Sequence, residues 1–576
     1  MMTAIQVTTP EVHIRLRDRL RMRPRLLGVL VAVLFFWESL NPTLLPRAWA
    51  VQALLCGACT AIGYSIGASL AVILSWVRGA MGLPALDTRL GRRLGWVAWA
   101  VAVLVGAVVW ANWQNDQRVL VNMPLIQRSD YIPVLIVGAI LLLVFVTIGR
   151  LVGQAAVAMH RGLTAVFPAW LAFVTAIVFT AGVIGLVAQD YVFKKLVDTA
   201  NSAYSTVDDS TAPGIERPTT PLASGGPDSL VPWDSLGLQG RTFTGGVTTP
   251  AQLETLVAPG TPVQQPIRVY AGLQSADSAA ARARLAVREL ERTGAFRRRV
   301  LVVATTTGTG WINPRSARSV EALNGGDTAI VGIQYSYLPS WISFLVDLDK
   351  ASEAGRTLYD AVHARWLQEP AATRPKLIVF GESLGSFGSE HAFDSSTPQR
   401  SVANVVRGTD GALWVGPTWS NPIRTPLVLD RNPGTPTWRP RIGSGEQVVF
   451  TNGRATLLDV AGQPVVYQQH ASDPVGWWNW SAAYSVPAWL QGRRGPDVPT
   501  RAHWFPIVTW GQTSADLIAG FSTPPGHGHN YDGAWPEAWA AVAAPEGWTR
   551  ADTVALSERL AAFPPQPGGV ENPAMR

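Results

Sequence analysis

The sequence has little cysteine and little charge. Its 576 residues include two cysteines, and charged residues make up 15% of the chain while hydrophobic residues make up 48%. Cys56 and Cys59 lie in one apolar stretch, so the remainder of the chain has no cysteine with which to form a disulfide framework. Such low charge, with a positive mean hydropathy of +0.15, excludes a purely soluble protein and indicates membrane segments.

Five apolar stretches in the first third approach or exceed the roughly 20 residues that a helix needs to cross a bilayer. They cover residues 26–40, 49–77, 95–113, 133–152 and 164–188. The first stretch has no small-residue cleavage site and four more follow it, which excludes a cleaved signal peptide. We therefore expect a basic cytoplasmic arm at 1–25 and an α-helical transmembrane bundle of about five spans at 26–190.

Arginine is unevenly distributed among the segments that flank these stretches. The arm carries six arginines between positions 15 and 25, and the second and fourth loops hold more arginine than the first and third. Because basic residues stay in the cytoplasm, the N-terminus is expected there, and the region after five crossings is expected to be extracytoplasmic. The net charge of +7 then favours contact with the lipid bilayer over a nucleic-acid partner.

The chain changes character after the last apolar stretch. Residues 191–250 are rich in Ser, Thr, Pro, Gly and Asp, which predicts an exposed linker. In residues 251–576, β-branched apolar runs alternate with helical patterns. Such alternation is typical of a mostly parallel sheet with helices on both faces, so this domain is predicted to be α/β. Its functional loops are expected at the carboxyl ends of the strands.

A Gly-Glu-Ser-Leu-Gly segment at 381–385 follows an apolar run and precedes small residues that can begin a helix. A strand, G-x-S-x-G and a helix form a nucleophile elbow, a strained turn that lifts the serine above the sheet. Ser383 is therefore the candidate nucleophile. A second G-x-S-x-G lies at 63–67 inside an apolar stretch, where its glycines indicate close helix packing instead.

A serine hydroxyl needs a base, and in elbow enzymes an acid and then a histidine follow the serine along the chain. The segment PPGHGHNYDG contains His527 and His529. We favour His529 and keep His527 as the alternative base, because His527 lies between two glycines that shape the loop. The other histidines after the elbow are interpreted as packing residues or lack a convincing acid: His391, His470 and His503.

The acid is expected after a late strand. Asp473 lies in a Ser-Asp-Pro turn three residues past the strand pattern QPVVYQQH (463–470), where its carboxylate can accept a hydrogen bond from the imidazole Nδ1. Asp430 and Asp516 are its rivals, the first as a turn residue and the second as a helix residue.

The oxyanion needs two backbone donors, one of them after the nucleophile and one after an earlier strand. Leu384 is the first candidate, and Thr306, Thr307 and Gly308 in the Gly-rich segment TTTGTG are candidates for the second. That segment lacks the lysine of a phosphate-binding loop, and the H-x-H pair lacks a third spaced ligand. We therefore expect neither a cofactor nor a metal.

Several segments together resemble the bacterial, actinobacterial-type family of membrane-anchored α/β-hydrolases with an N-terminal multi-span domain. They are NPTLLPR, SLVPWDSLGLQGRTF, TTTGTGWINP, FGESLGS, HASDPVGWW and PPGHGHNY, and they are distributed over nearly the whole chain. The resemblance implies an α/β-hydrolase fold and serine hydrolase activity, with Ser383, Asp473 and His529 as the catalytic residues. It leaves the substrate open.

The main hypothesis is a membrane-tethered esterase or lipase with an extracytoplasmic active site, acting on an acyl ester or lipid. One alternative keeps the triad but transfers acyl groups between envelope lipids or glycans, and Trp477, Trp478 and Trp480 near the acid suit lipid or sugar contact. The other is a non-enzymatic transporter or sensor with a degenerate hydrolase domain. The apolar stretches contain few ionisable residues, which argues against an ion path.

Overall fold

A computed structural model describes residues 26–82, 89–186, 194–460 and 462–565. The predicted basic arm at 1–25 lies outside the described residues. The chain divides into two compact units. Within the described residues, the first unit comprises 26–40, 52–110 and 128–151, and the second comprises 41–51, 111–127 and the chain from 152 onward.

The N-terminal third is helical. Its helices are α1 (Leu26–Ser39), α2 (Trp49–Ala80), α3 (Arg89–Leu120), α4 (Tyr131–Leu163), α5 (Ala169–Leu186) and α6 (Lys194–Asp208). By length and composition α2, α3 and α4 could each cross a membrane, whereas α1 is apolar but has 14 residues. Helix α5 covers 18 residues of the fifth predicted span, whose end lies outside the described residues. Three of the five predicted spans are therefore supported.

The second G-x-S-x-G segment lies in the middle of α2, within the first unit. The Ser65 Oγ donates a hydrogen bond to the Ala61 carbonyl at 2.8 Å. A Cβ atom on Gly63 would lie 2.7 Å from the Phe35 Cβ of α1, so only glycine allows this helix pair to approach so closely. The prediction that this segment serves helix packing is confirmed.

A seven-stranded sheet, in the order β1-β3-β2-β4-β5-β7-β6, forms the centre of the second unit. Every neighbouring pair is parallel. The strands are β1 (Ile267–Ala271), β2 (Val300–Thr305), β3 (Thr328–Ile333), β4 (Lys376–Glu382), β5 (Gly411–Val415), β6 (Val448–Thr451) and β7 (Val465–Gln468). Six of them coincide with predicted apolar runs. The unpredicted strand, β6, has four residues and lies at the sheet edge, where a short run gives little pattern.

Helices cover both faces of this sheet, which confirms the α/β class. The helices of residues 237–562 are α7 (Gly237–Gly245), α8 (Pro250–Leu256), α9 (Ala279–Thr293), α10 (Pro314–Leu323), α11 (Ser340–Val346), α12 (Leu348–Trp366), α13 (Leu384–Glu390), α14 (Pro398–Gly408), α15 (Arg424–Leu429), α16 (Arg454–Leu457), α17 (Pro474–Trp477), α18 (Val508–Ala519), α19 (Trp535–Ala543) and α20 (Arg550–Ala562). Alternate strand residues supply two hydrophobic cores: Leu301 packs in the core that contains Leu358 of α12, and Val302 in the core that contains Val320 of α10.

Residues 212–250 do not form the exposed linker that their composition predicts. The Ser224 N–H donates to the Arg268 carbonyl at 2.9 Å, and the Arg268 N–H donates to the Leu222 carbonyl at 3.1 Å, so this segment lies beside β1. Val231 and Leu236 are fully buried. A few well-spaced apolar residues are enough to fold the segment onto the sheet, while its Ser, Pro and Gly residues form the turns between them.

Two short segments from the N-terminal third belong to the second unit. Leu44, Leu45 and Val121 are fully buried in the same core as residues of the sheet. Residues 41–48 join α1 to α2, and residues 121–130 join α3 to α4. The second unit therefore completes its core with side chains from the connections between apolar helices.

The first of these connections binds α18 through a buried ion pair. The Arg47 Nε lies 3.2 Å from the Asp516 Oδ1, and both side chains are inaccessible to solvent. The Thr43 Oγ1 and the Leu44 N–H donate to the Asp516 Oδ2 at 2.6 Å and 3.0 Å. The carboxylate thus has the partners that make a buried charge tolerable.

Candidate active site

Ser383 occupies a sharp turn between β4 and α13. Its backbone angles, φ 56° and ψ −124°, are unusual for a residue other than glycine. The Ser383 N–H donates to the Val415 carbonyl at the end of β5, at 2.8 Å. Such a conformation costs on the order of 1–3 kcal/mol and persists only where the surroundings impose it. This geometry is that of a nucleophile elbow.

The two glycines of the motif allow the turn to close. A Cβ atom on Gly385 would overlap the Thr305 carbonyl at the end of β2, and one on Gly381 would overlap the backbone of Gly385. Larger residues would therefore push the helix away from the strand. The elbow follows β4, which lies between β2 and β5 in the sheet, and it places Ser383 at the carboxyl edge of the sheet.

Asp473 and His529 are directly hydrogen-bonded. The His529 Nδ1 donates to the Asp473 Oδ2 at 2.8 Å, and each side chain is 2% exposed. The same oxygen accepts a hydrogen bond from the Tyr531 hydroxyl at 2.7 Å, and the Asp473 Oδ1 accepts one from the Val475 N–H at 2.9 Å. Asp473 thus caps the short helix α17 and also holds the imidazole. Because a carboxylate only accepts, the proton of the neutral imidazole is on Nδ1 and its Nε2 is a free base.

The Nε2 of His529 is buried and has no hydrogen-bond partner among the described residues. The imidazole lies beside Gly416, the residue after Val415, since a Cβ atom there would lie 2.8 Å from the His529 Cε1. Val415 in turn binds the Ser383 N–H. The structure therefore brings the imidazole to the strand end that holds the elbow.

The loop around His529 is fixed from several directions. The His529 N–H donates to the Gly520 carbonyl at 2.8 Å, just after α18 ends at Ala519. The Phe521 ring meets the imidazole edge to face, with 4.9 Å between the ring centres. Burial and the Asp473 charge keep the pKa of Tyr531 well above its usual value, so Tyr531 remains a phenol that can donate.

His527, the alternative base, is directed elsewhere. Its Nδ1 lies 3.2 Å from the Asp497 Oδ2, and its Nε2 lies 3.2 Å from the Asn122 Nδ2. It borders a cavity of about 210 Å³ whose lining includes His470 and Asp497. Both ring nitrogens are engaged, so the geometry favours His529 as the base.

The remaining candidates have other partners. The His470 Nδ1 donates to the Gly528 carbonyl at 2.9 Å, and burial lowers the pKa of this imidazole. His503 lies 3.1 Å from the Asn41 amide, and the His391 Nδ1 donates to the carbonyl at the preceding helical turn. Asp430 is exposed and accepts from Gln399, and Asp516 belongs to the ion pair with Arg47.

Two of the three oxyanion donors predicted after β2 are already used. The Thr307 N–H donates to the Trp311 carbonyl at 3.1 Å, and the Gly308 N–H donates to the Tyr335 hydroxyl at 2.8 Å. The turn over residues 307–311 uses the Thr307 N–H, and the Tyr335 hydroxyl uses the Gly308 N–H; the Gly-rich sequence alone does not reveal either bond. Thr306, whose carbonyl lies close to Gly385, remains the candidate beside Leu384 at the start of α13.

Sequence reasoning missed two acidic residues next to the elbow. Burial and the nearby charge of Asp532 raise the pKa of Glu382 well above its usual range. Asp532 accepts hydrogen bonds from the Asn313 Nδ2 at 3.3 Å and the Trp535 Nε1 at 2.9 Å. The only available signals were the position of Glu382 directly before Ser383 and that of Asp532 three residues after His529.

Comparison with known families identifies the class that this fold and site define. Residues 267–556 match an alpha/beta-hydrolase family, and residues 40–247 match the N-terminal region of an alpha/beta-hydrolase family. The first match alone covers half of the chain, and the chain belongs to the alpha/beta-hydrolase family. A hydrolase-type activity follows from that membership. Searches of curated proteins and of solved structures found no match.

Proposed function

We propose that the protein is a membrane-tethered serine hydrolase of the esterase or lipase type, which cleaves an acyl ester with Ser383, His529 and Asp473. The observation that carries this proposal is the 2.8 Å bond between Asp473 and the His529 Nδ1, together with the buried Nε2 of that histidine, which has no hydrogen-bond partner in the part of the chain that the structure describes. An imidazole held in this tautomer, at the strand end that also holds the strained Ser383, can accept the proton of the serine hydroxyl.

The reaction proceeds in two halves. The Ser383 Oγ attacks the ester carbonyl while its proton passes to the His529 Nε2, and Asp473 stabilises the resulting imidazolium. The N–H groups of Leu384 and Thr306 bind the oxyanion. The imidazolium then protonates the departing alcohol. In the second half, the same Nε2 takes a proton from the water molecule that attacks the acyl-enzyme and returns it to the Ser383 Oγ as the acid departs.

The connections between apolar helices support an extracytoplasmic active site. If α2 and α3 each cross the membrane, residues 41–48 and 121–130 lie on the same side of it. These connections are poorer in arginine than the arm and the second loop, which is typical of the outer side. Both supply buried side chains to the second unit, which supports an extracytoplasmic position for that unit.

The test uses the full-length protein in detergent, a fluorophosphonate probe and a soluble short-chain p-nitrophenyl ester. Ser383→Ala should abolish both labelling and hydrolysis. The matched control is Ser65→Ala, because Ser65 lies in the other G-x-S-x-G segment and its Oγ donates to the Ala61 carbonyl within α2; this variant should be labelled like the wild type. Labelling that survives Ser383→Ala would refute the proposal.

A further inference from the structure

Exposed apolar side chains are concentrated on one part of the second unit, the unit that contains the sheet and Ser383. Among the described residues of 267–556, eight large hydrophobic side chains are exposed. Six of them form what we call the rim surface: Trp341, Leu345, Trp480, Tyr484, Val486 and Ile518. The other two are Leu367, which directly follows α12, and Leu429, the last residue of α15. Soluble monomers seldom expose so many large apolar groups together, so the rim surface is expected to bind a protein or a membrane.

A ladder of aromatic rings connects the parts of the rim surface. Phe344 of α11 meets Trp478 edge to face at 6.1 Å, and Trp480 lies 5.1 Å from both Trp478 and Trp510 of α18. The Trp478 Nε1 donates to the Ser514 Oγ, also on α18, at 2.8 Å. Helix α11, the segment after α17 and helix α18 therefore present one surface rather than three isolated patches.

Each of these three parts is attached to a catalytic element. A 3.0 Å hydrogen bond joins the Ser340 Oγ, at the start of α11, to the Thr307 Oγ1 next to the oxyanion candidate. Trp478 follows α17, which Asp473 caps. Helix α18 ends just before Gly520, whose carbonyl binds the His529 N–H. The rim surface therefore borders the site where an ester would react.

The connection between α1 and α2 indicates what covers the rim surface. The Gln512 Nε2 of α18 donates to the Asn41 carbonyl at 3.0 Å, and Asp516 one turn further pairs with Arg47. Asn41 is two residues after the end of α1, and Arg47 is two residues before the start of α2. Since α2 is long and apolar enough to cross a membrane, α18 is bonded to the residues at which that crossing would begin. Tryptophan and tyrosine are the residues that favour this depth of a bilayer.

We propose that the rim surface rests in the interfacial layer of the bilayer and admits the ester of a membrane lipid to Ser383. The part that concerns the ester rests on the proposed function and narrows its substrate to a lipid resident in the membrane. The occupant is the bilayer that holds the chain's own apolar helices, because α18 is bonded to the segment between two of them. A soluble ester could reach Ser383 directly from water, without an apolar surface beside the site.

The first test measures contact with lipid and needs no catalysis. Full-length protein with Cys56→Ala and Cys59→Ala is placed in nanodiscs of phosphatidylcholine and phosphatidylglycerol that contain a headgroup-depth doxyl lipid. A fluorophore is attached through Tyr484→Cys or, as the control, through Leu429→Cys; these positions are 75% and 60% exposed. Quenching at position 484 should exceed that at position 429 by at least about threefold. Equal quenching at the two positions overturns the proposal.

The second test compares a fluorogenic phosphatidylglycerol in the same nanodiscs with a soluble short-chain ester. The variant Tyr484→Ser with Ile518→Ser should lower the ratio of kcat/KM for the lipid to kcat/KM for the soluble ester about tenfold. The control, Leu367→Ser with Leu429→Ser, removes two leucines that are 55% and 60% exposed outside the rim surface, and it should keep the wild-type ratio. A ratio that stays the same in both variants overturns lipid entry at this surface. A wild-type protein that cleaves neither ester refutes the proposed function instead, and the quenching result then decides the surface by itself.

Discussion

Arg47 and Asp516 form an ion pair with no exposed side-chain surface, although 469 positions separate them along the chain. Arg47 belongs to the connection between two apolar helices, and Asp516 belongs to α18, which leads into the loop of His529. The connection between α1 and α2 is therefore part of the structure that holds the candidate base.

Loss of this pair should impair catalysis in protein that remains folded. Arg47→Met leaves the Asp516 carboxylate buried without its cation, which typically costs about 3–5 kcal/mol. Because α18 carries Gly520 into the His529 loop, we expect kcat for a soluble ester to fall about tenfold or more, with a smaller change in KM. The measurement is steady-state kinetics at temperatures well below the unfolding midpoint of the variant.

The matched control is Arg268→Met. Arg268 forms an equally buried pair with Glu321 at 2.6 Å, but between β1 and α10, away from the histidine loop. Both variants should lose similar amounts of thermal stability, and only Arg47→Met should lose kcat in the folded state. Equal kcat in the two folded variants would show that the Arg47 pair contributes stability alone.

The two histidines of the loop should differ sharply in their effect on activity. His529→Ala removes the base and should lower kcat by at least about a thousandfold. His527→Ala breaks its contacts with Asp497 and Asn122 and should lower kcat by less than about tenfold, because neither contact involves the elbow. Fluorophosphonate labelling rates measure the same contrast. A larger loss in His527→Ala than in His529→Ala would reverse the assignment of the base.

Gly416 should be intolerant of a methyl group for a reason that concerns the site. A Cβ atom there would lie 2.8 Å from the His529 Cε1 and 2.6 Å from the Tyr531 Cε2, and the backbone has φ +57°. We expect Gly416→Ala to displace the imidazole and lower kcat at least about tenfold. Gly434→Ala is the control for backbone strain alone, since Gly434 has φ +81° with no atom within 4 Å of an added Cβ. If both variants lose equal activity, displacement of the histidine is not the cause.

Local patterns predicted the elbow and most of the sheet, because both depend on neighbouring residues. An apolar run before G-x-S-x-G indicated Ser383, and a turn after a late strand indicated Asp473, which the structure brings to His529. Such patterns could not predict that residues 41–48 pack into the core of the second unit. Leu44 and Leu45 are apolar in a loop, and nothing nearby indicates that they complete a core over 200 residues further along the chain.

The sequence also could not predict which backbone N–H groups after β2 are available to bind the oxyanion. Thr306, Thr307 and Gly308 are equivalent candidates in the segment TTTGTG, and only the turn closed by Trp311 and the position of the Tyr335 hydroxyl show which N–H groups are used. Similarly, the composition of 212–250 is that of a linker, but a small number of buried side chains outweighs it.

Glu382, directly before the nucleophile, should make stability fall as the pH rises. Burial and the charge of Asp532 raise its pKa well above 4.5, its ordinary value, so from about pH 4.5 upward the folded protein keeps a proton that the unfolded chain releases. The stability that this carboxyl contributes is therefore complete below about pH 4.5 and is lost as the pH rises towards the pKa in the folded state.

Glu382→Gln preserves the shape of the side chain and cannot ionise. The unfolding midpoint of Glu382→Gln relative to the wild type should thus increase between about pH 5 and pH 8, as measured by thermal unfolding in detergent. Glu254→Gln, a change at an exposed glutamate on α8, supplies the baseline. A Glu382→Gln midpoint that follows the wild type in parallel across this range would show that Glu382 ionises normally in the folded protein.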